Sequence, residues 1–194
     1  VYISTSGVYG DCAGQRVAET RPARPATARA RRRVAAESQW RRYAARSGPR
    51  VAILRAPGIY AADRLPLDRV RKGLPVLHAA EDSWTNHIHA EDLGRACVAA
   101  LARGRTGRAY NASDDSELRM GDWFDKLADA FHLARPPRVS RGEAPKWLSP
   151  AMLSFMNESR RLDNSRLKRE LRFRFRYPTV DAGIAATKEK PCSG

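Results

Sequence analysis

The chain has 194 residues, 42% of them hydrophobic, which is enough for one sizeable core or two small lobes and too apolar for a disordered segment. Its net charge of +15 comes from 36 basic against 21 acidic residues, and thirty of the 36 are arginine, a bias that GC-rich coding produces without any selection for nucleic acid. No apolar run reaches the roughly 18 residues of a membrane span, and Cys12, Cys97 and Cys192 are odd in number with no C-x-x-C spacing, so a disulfide framework and a zinc site are both disfavoured and a reducing, cytoplasmic setting is expected.

V-Y-I-S-T-S-G-V-Y-G predicts a short buried strand over 1–4 that runs into a polar loop beginning at Thr5. So apolar a strand suits the centre of a parallel sheet, which needs neighbours on both sides. Nothing precedes it and residue 1 is Val, so the chain is expected to be the later part of a longer protein. A helix over 27–45 follows Pro22 and Pro25 and stops at Ser47-Gly48-Pro49. A strand over 50–54 then opens into R-A-P-G-I-Y, a loop at a strand's carboxyl end where α/β proteins place ligands. Strand, helix, strand is the unit that builds a parallel sheet.

A short helix over 67–72, an extended segment over 84–89, a helix over 90–103 and a strand over 108–112 come next. Residues 120–132 read as an amphipathic helix with Trp123, Phe124, Leu127, Ala128 and Phe131 on its buried side. Beyond a Pro/Arg linker after Leu133, 146–155 and 164–171 read as helices, F-R-F-R-Y-P as a small strand, and the residues from Thr187 as a loose tail. The expected division is 1–115 with an insertion near 63–85, a second lobe over 116–186, and the tail 187–194.

Five segments occur in one order: S-T-S-G-V-Y-G at a strand's end, P-A-T-A-R-A-R-R-R-V-A-A-E on the next helix, then L-R-A-P-G-I-Y, N-H-I-H-A-E-D-L and R-A-Y-N-A-S-D-D. Together they resemble the later half of an extended short-chain dehydrogenase/reductase of the NAD-dependent epimerase/dehydratase family. The resemblance covers about residues 1–115, and N-S-R-L-K-R-E-L with R-Y-P resembles that family's C-terminal region. It implies an α/β fold with a partial Rossmann-like parallel sheet, flanking helices and a small mixed α+β substrate lobe. It also implies NAD or NADP as cofactor and a small-molecule substrate, either a nucleotide sugar or another carbonyl or hydroxyl compound.

Two departures from the family pattern stand out. No Gly-x-Gly-x-x-Gly phosphate turn occurs in the chain. The family's usual helix carries P-x-S-x-Y-x-x-x-K-x-x-x-E, and aligning Pro25, Thr27 and Glu37 with it puts Arg29 at the Tyr position and Arg33 at the Lys position. Arginine stays protonated in proteins, so Arg29 cannot shuttle a proton, whereas Arg33 is still able to donate hydrogen bonds to ribose or phosphate. The pattern resembles the atypical members that keep the upstream Ser/Thr and lack Y-x-x-x-K.

The resemblance makes Thr5, with Ser6 beside it, the candidate for polarising a substrate oxygen; the competing reading is that both hydroxyls satisfy loop backbone. Arg33, Pro57, Gly58 and Ile59 are the cofactor candidates. Tyr9 and Tyr60 read as packing residues rather than replacement phenols. His87 and His89 tempt a metal assignment, but the resemblance implies that this segment, with Asp92, braces the two lobes, and no metal site is expected. Glu19 and Glu37 read as structural salt-bridge residues. The arginines between 29 and 42 wrap around the helix instead of forming one stripe, so a nucleic-acid partner is the weaker reading. The expected function is an atypical NAD(P)-dependent oxidoreductase, with the chain by itself inactive; the alternative is a non-catalytic NAD(P) sensor or a basic nucleic-acid-binding protein. An uncovered sheet edge is expected to drive aggregation or a homodimer.

Overall fold

The computed structural model describes residues 1–189. In chain order, β1 (Tyr2–Thr5) leads through a 3-10 turn (Ser6–Tyr9) and β2 (Arg16–Val17) into helix α1 (Ala28–Ser47). Next come β3 (Ile53–Ala56), β4 (Gly58–Tyr60), α2 (Leu67–Arg71), β5 (Val76–Leu77), β6 (Trp84–Thr85), β7 (His87–His89), α3 (Ala90–Arg103) and β8 (Ala109–Asn111). The remainder is β9 (Leu118–Arg119), α4 (Met120–Ala130), β10 (Arg138–Val139), α5 (Pro150–Met156), β11 (Arg161–Leu162), α6 (Ser165–Glu170) and α7 (Val180–Glu189).

The central sheet has three parallel strands in the order β1-β3-β8. All four residues of β3 are buried, as its middle position requires. Side chains alternate between the two faces. Leu54 and Ala56 pack on Leu93, Ala96 and Ala100 of α3 and on Leu167 of α6, while Arg55 turns to the opposite face and meets α1.

Helix α1 follows from its sequence. Thr27 caps it by accepting the Ala30 N–H at 3.1 Å, an Ala/Arg-rich run propagates it, and Gly48 ends it in the left-handed conformation.

A second body of structure is built from two-stranded pieces: β10 with β5, β11 with β2, β4 with β7, and β6 with β9. Its apolar centre joins Tyr60 and Val76 to Trp123, Phe124, Leu127 and Ile184. Gly183 of α7 matters here, because a Cβ at that position would run into the Tyr60 ring.

Three expectations are corrected. F-R-F-R-Y-P is not a strand: Phe173 and Tyr177 point inward, but the Arg176 and Tyr177 N–H groups go to the Asp92 carboxylate instead of to a ladder partner. The segment expected as one helix over 146–155 divides into a 3-10 turn (Ala144–Lys146) and α5, with Ser149 capping the new start. Residues 187–189 belong to α7 rather than to a tail, and the rest of that segment, Cys192 included, lies outside the described residues.

Among the described residues Cys12 and Cys97 are free thiols. No helix among them is long and apolar enough to cross a membrane.

Candidate functional site

The loop after β1 is held in place at both ends. Thr5 ends the strand, and its Oγ1 accepts the Gly7 N–H at 3.2 Å, which tightens the 3-10 turn and leaves the hydroxyl hydrogen free to donate. Gly10 closes the turn with φ of 67°, and a Cβ there would collide with the Arg24 carbonyl.

The far wall is anchored to this same loop. The Cys12 and Gly14 N–H groups both donate to the Ser159 carbonyl at 3.0 Å, and Arg160 Nη1 donates to the Gly10 carbonyl at 2.8 Å. Parallel pairing of β2 with β11 completes the attachment.

Between these walls lies a cavity of about 640 Å³. Thr5, Ser6, Arg29, Pro57, Gly58 and Ile59, which are far apart in the chain, all line it. Arg29 sits in the first turn of α1, exposed, and its guanidinium makes no hydrogen bond or ion pair with the other described residues. Arg33 is the exception among the candidates. It does not line the cavity; its Nη1 bonds the Tyr2 hydroxyl at 3.1 Å and the Ile3 carbonyl at 3.2 Å, on the outer edge of β1. One helical turn separates Arg29 from Arg33, and that turn carries the second guanidinium past the site.

The cavity has residues that sequence reasoning did not assign to a site. His87 forms part of its wall through the pairing of β7 with β4, which sets it opposite Gly58. Its ring stacks on Trp123 at 4.3 Å, its Nδ1 has no partner among the described residues, and burial pushes its pKa down to about 3, so it is neutral. Trp84, Met152 and Phe155 contribute apolar surface, and Glu158 with Arg160 forms an ion pair of 2.9 Å. The only signal for Trp123 and Phe124 was their place on the buried face of an amphipathic helix. Arg160 had none, since it is one arginine among thirty.

Other candidates have structural places. Tyr9 donates to Asn111 Oδ1 at 2.7 Å and accepts from Arg55 at 2.9 Å. Tyr60 packs edge-on against Trp123 and His89, and burial raises its hydroxyl's pKa. His89 caps α3 by accepting the Glu91 N–H and stacks on Tyr177 at 4.1 Å. Asp92, fully buried, accepts the Arg176 and Tyr177 N–H groups, so this segment does tie α3 to the C-terminal region. Glu19 accepts the Asn111 N–H and faces Arg166, and Glu37 pairs with Arg55. No group of three or more His, Cys, Asp or Glu residues able to hold a metal occurs among the described residues.

A family model, the NAD dependent epimerase/dehydratase family, matches residues 1–113. The chain belongs to this family. A dTDP-D-glucose 4,6-dehydratase of Mus musculus is 28% identical over 132 residues, covering 62% of this chain and 36% of that protein. The chain thus spans about a third of the length of the curated family members it matches. Among solved structures, a functionally unknown conserved protein from Silicibacter pomeroyi is 34% identical with a TM-score of 0.85, over 97% of this chain and 65% of that one. A dTDP-glucose 4,6-dehydratase from Bacillus anthracis, solved in complex with NAD, shares the fold at 18% identity with a TM-score of 0.74, over 96% of this chain and 59% of that one. The family's Rossmann-like α/β class is the one described above.

Proposed function

We propose that the protein provides the reacting side of a nicotinamide-dependent oxidoreductase site that acts on a carbonyl or hydroxyl compound. The convergence of Thr5, Ser6, Arg29, Pro57, Gly58 and Ile59 on one cavity carries this reading. Pro57, bare Gly58 and the exposed Ile59 form an apolar ledge beside two hydroxyls, which suits one face of a flat nicotinamide ring. That fit extends to the nicotinamide end alone, because the sequence has no Gly-x-Gly-x-x-Gly turn to receive a pyrophosphate. Turnover by these 194 residues on their own is accordingly expected to be undetectable. The free thiols of Cys12 and Cys97 suit a cytoplasmic setting.

When bound, the nicotinamide supplies hydride transfer to or from carbon. Thr5, whose oxygen already accepts the Gly7 N–H, donates its hydrogen toward a substrate oxygen, with Ser6 adjacent. Arg29 gives no proton; it acts as fixed positive charge where negative charge develops on oxygen. A second reading, a sensor that binds NAD(P) without turnover, is favoured by one feature: neither a phenol nor a lysine stands at positions 29 and 33.

Nicotinamide mononucleotide, which lacks the adenylate half, tests the shared premise. Saturation-transfer NMR should show it bound by the chain, with binding abolished in Ile59→Asp. No binding, or binding indifferent to that change, would sink both readings. Hydride transfer to a carbonyl acceptor, assayed in a longer chain that also carries a dinucleotide phosphate turn and lost there in Thr5→Ala, separates the enzyme from the sensor.

A further inference from the structure

The chemistry of the cavity wall narrows the substrate class. Three charged residues line the cavity, and two of them neutralise each other: Arg160 Nη1 is committed to Glu158 at 2.9 Å and to the Gly10 carbonyl at 2.8 Å. Arg29 remains, an exposed guanidinium at the first turn of α1. Two further cations stand close by and are engaged elsewhere. Arg119 and Arg161 lie over the Trp84 ring at 4.9 and 5.0 Å and donate to the carbonyls of Asp82 and Gly14.

The rest of the wall is uncharged: apolar side chains stand beside the hydroxyls of Thr5, Ser6, Thr27, Thr85 and Ser154 and the Asn86 amide. Trp84, Met120, Trp123 and Phe124 form one side. Phe155 at 56% exposure and Ile59 at 38% leave hydrocarbon facing solvent, which a ligand would cover. A nucleoside diphosphate sugar carries about two negative charges, and taking them into such a wall requires paired cations or a cluster of N–H donors.

We propose that the cavity takes an uncharged carbonyl or hydroxyl compound with an aromatic or alkyl body, and not a nucleoside diphosphate sugar. The proposal rests on the oxidoreductase reading for the reacting group and on the wall alone for the body of the ligand.

The test is binding to the full chain, measured by calorimetry and saturation-transfer NMR with 4-phenyl-2-butanone and with dTDP-glucose. The ketone should bind at least tenfold more tightly than the nucleotide sugar. Its affinity should fall at least tenfold in Phe155→Asp and in Ile59→Asp, both at exposed positions, and stay unchanged in Val98→Asp on the outer face of α3. Tighter binding of dTDP-glucose, or indifference of the ketone to both cavity variants, overturns the proposal. Ketone binding with no binding of nicotinamide mononucleotide would leave the proposal standing and remove the oxidoreductase reading; mononucleotide binding with no ketone binding would do the reverse.

Discussion

Glu37 and Arg55 form a two-bond ion pair inside the molecule, with Arg55 Nε 3.1 Å from Oε1, Nη2 2.7 Å from Oε2, and the two residues only 1% and 5% exposed. The pair joins α1 to the middle strand of the sheet and continues through Arg55 Nη1 to Tyr9 and on to Asn111. Burial by itself raises the Glu37 pKa; the bonds and charge of Arg55 outweigh it and hold the carboxyl below its ordinary value. The pair therefore contributes stability above the unfolded carboxylate range and loses it as pH falls through the folded value. Glu37→Ala leaves a buried guanidinium unpaired and should cost roughly 3 to 5 kcal/mol in urea unfolding. The double variant Glu37→Met with Arg55→Met should recover much of that, and an equal loss in both would show that the charge pairing is not what matters.

His87 and Asp114 give the stability profile two opposed slopes. His87 is lowered to about 3 by burial, so between that value and the ordinary 6.5 the unfolded chain binds a proton that the folded one does not, and acidification destabilises. Asp114 is pushed up to about 7, first by burial and then by Asp115 and Asp92, so from about 4 to 7 the folded chain keeps a proton that the unfolded one has lost, and alkalinisation destabilises. In thermal melts from pH 4 to 8, Asp114→Asn should gain most over the parent at pH 8. His87→Phe should gain most at pH 4. Parallel curves for parent and variants would rule out this assignment.

Arg29 and Arg33 should behave differently. Arg29 lines the cavity, whereas Arg33 is spent on Tyr2 and Ile3. Arg33→Ala is expected to lower the melting temperature and to leave nicotinamide mononucleotide and ketone affinities within about threefold, under 0.7 kcal/mol. Arg29→Asp should weaken mononucleotide binding by more than about threefold, because it reverses the one unpaired charge in the wall. Calorimetry on the two variants decides, and equal effects on binding would contradict the separation seen in the structure.

The edge of β1 is the expected surface for self-association. The strand pairs with β3 on one side, and around its other side Ile3 is 42% exposed, Trp40 42% and Tyr43 52%, with Trp40 against Tyr2 at 6.3 Å. An apolar strand edge of this kind recruits a partner. Sedimentation should show concentration-dependent association that Trp40→Lys combined with Tyr43→Lys reverses. A parent that sediments as a monomer at every concentration would argue against it.

Much of the architecture was legible in the order of residues because its cause is local. The apolar V-Y-I-S and R-V-A-I-L runs, the capped helix between Thr27 and Gly48, and the amphipathic spacing of Trp123, Phe124 and Leu127 each follow from side-chain period and capping chemistry. Thr5, Ser6 and Pro57 were singled out by the family resemblance, and the structure sets them together on the cavity near the carboxyl ends of β1 and β3. The F-R-F-R-Y-P segment misled for a physical reason: alternation shows which side chains are buried, but ladder pairing depends on where the backbone N–H groups go, and Asp92 takes two of them from 84 and 85 residues away. Arg33 misled in a similar way, since position on a helix shows the direction a side chain leaves but not that Tyr2 and Ile3 will hold it. Phe155, Glu158 and Arg160 of the wall left no mark in the sequence, and His87 stood out only as half of an H-x-H pair. Those residues meet Thr5 only after β2 pairs with β11 and β4 with β7, and contacts made across such separations come from tertiary packing, which no local pattern encodes.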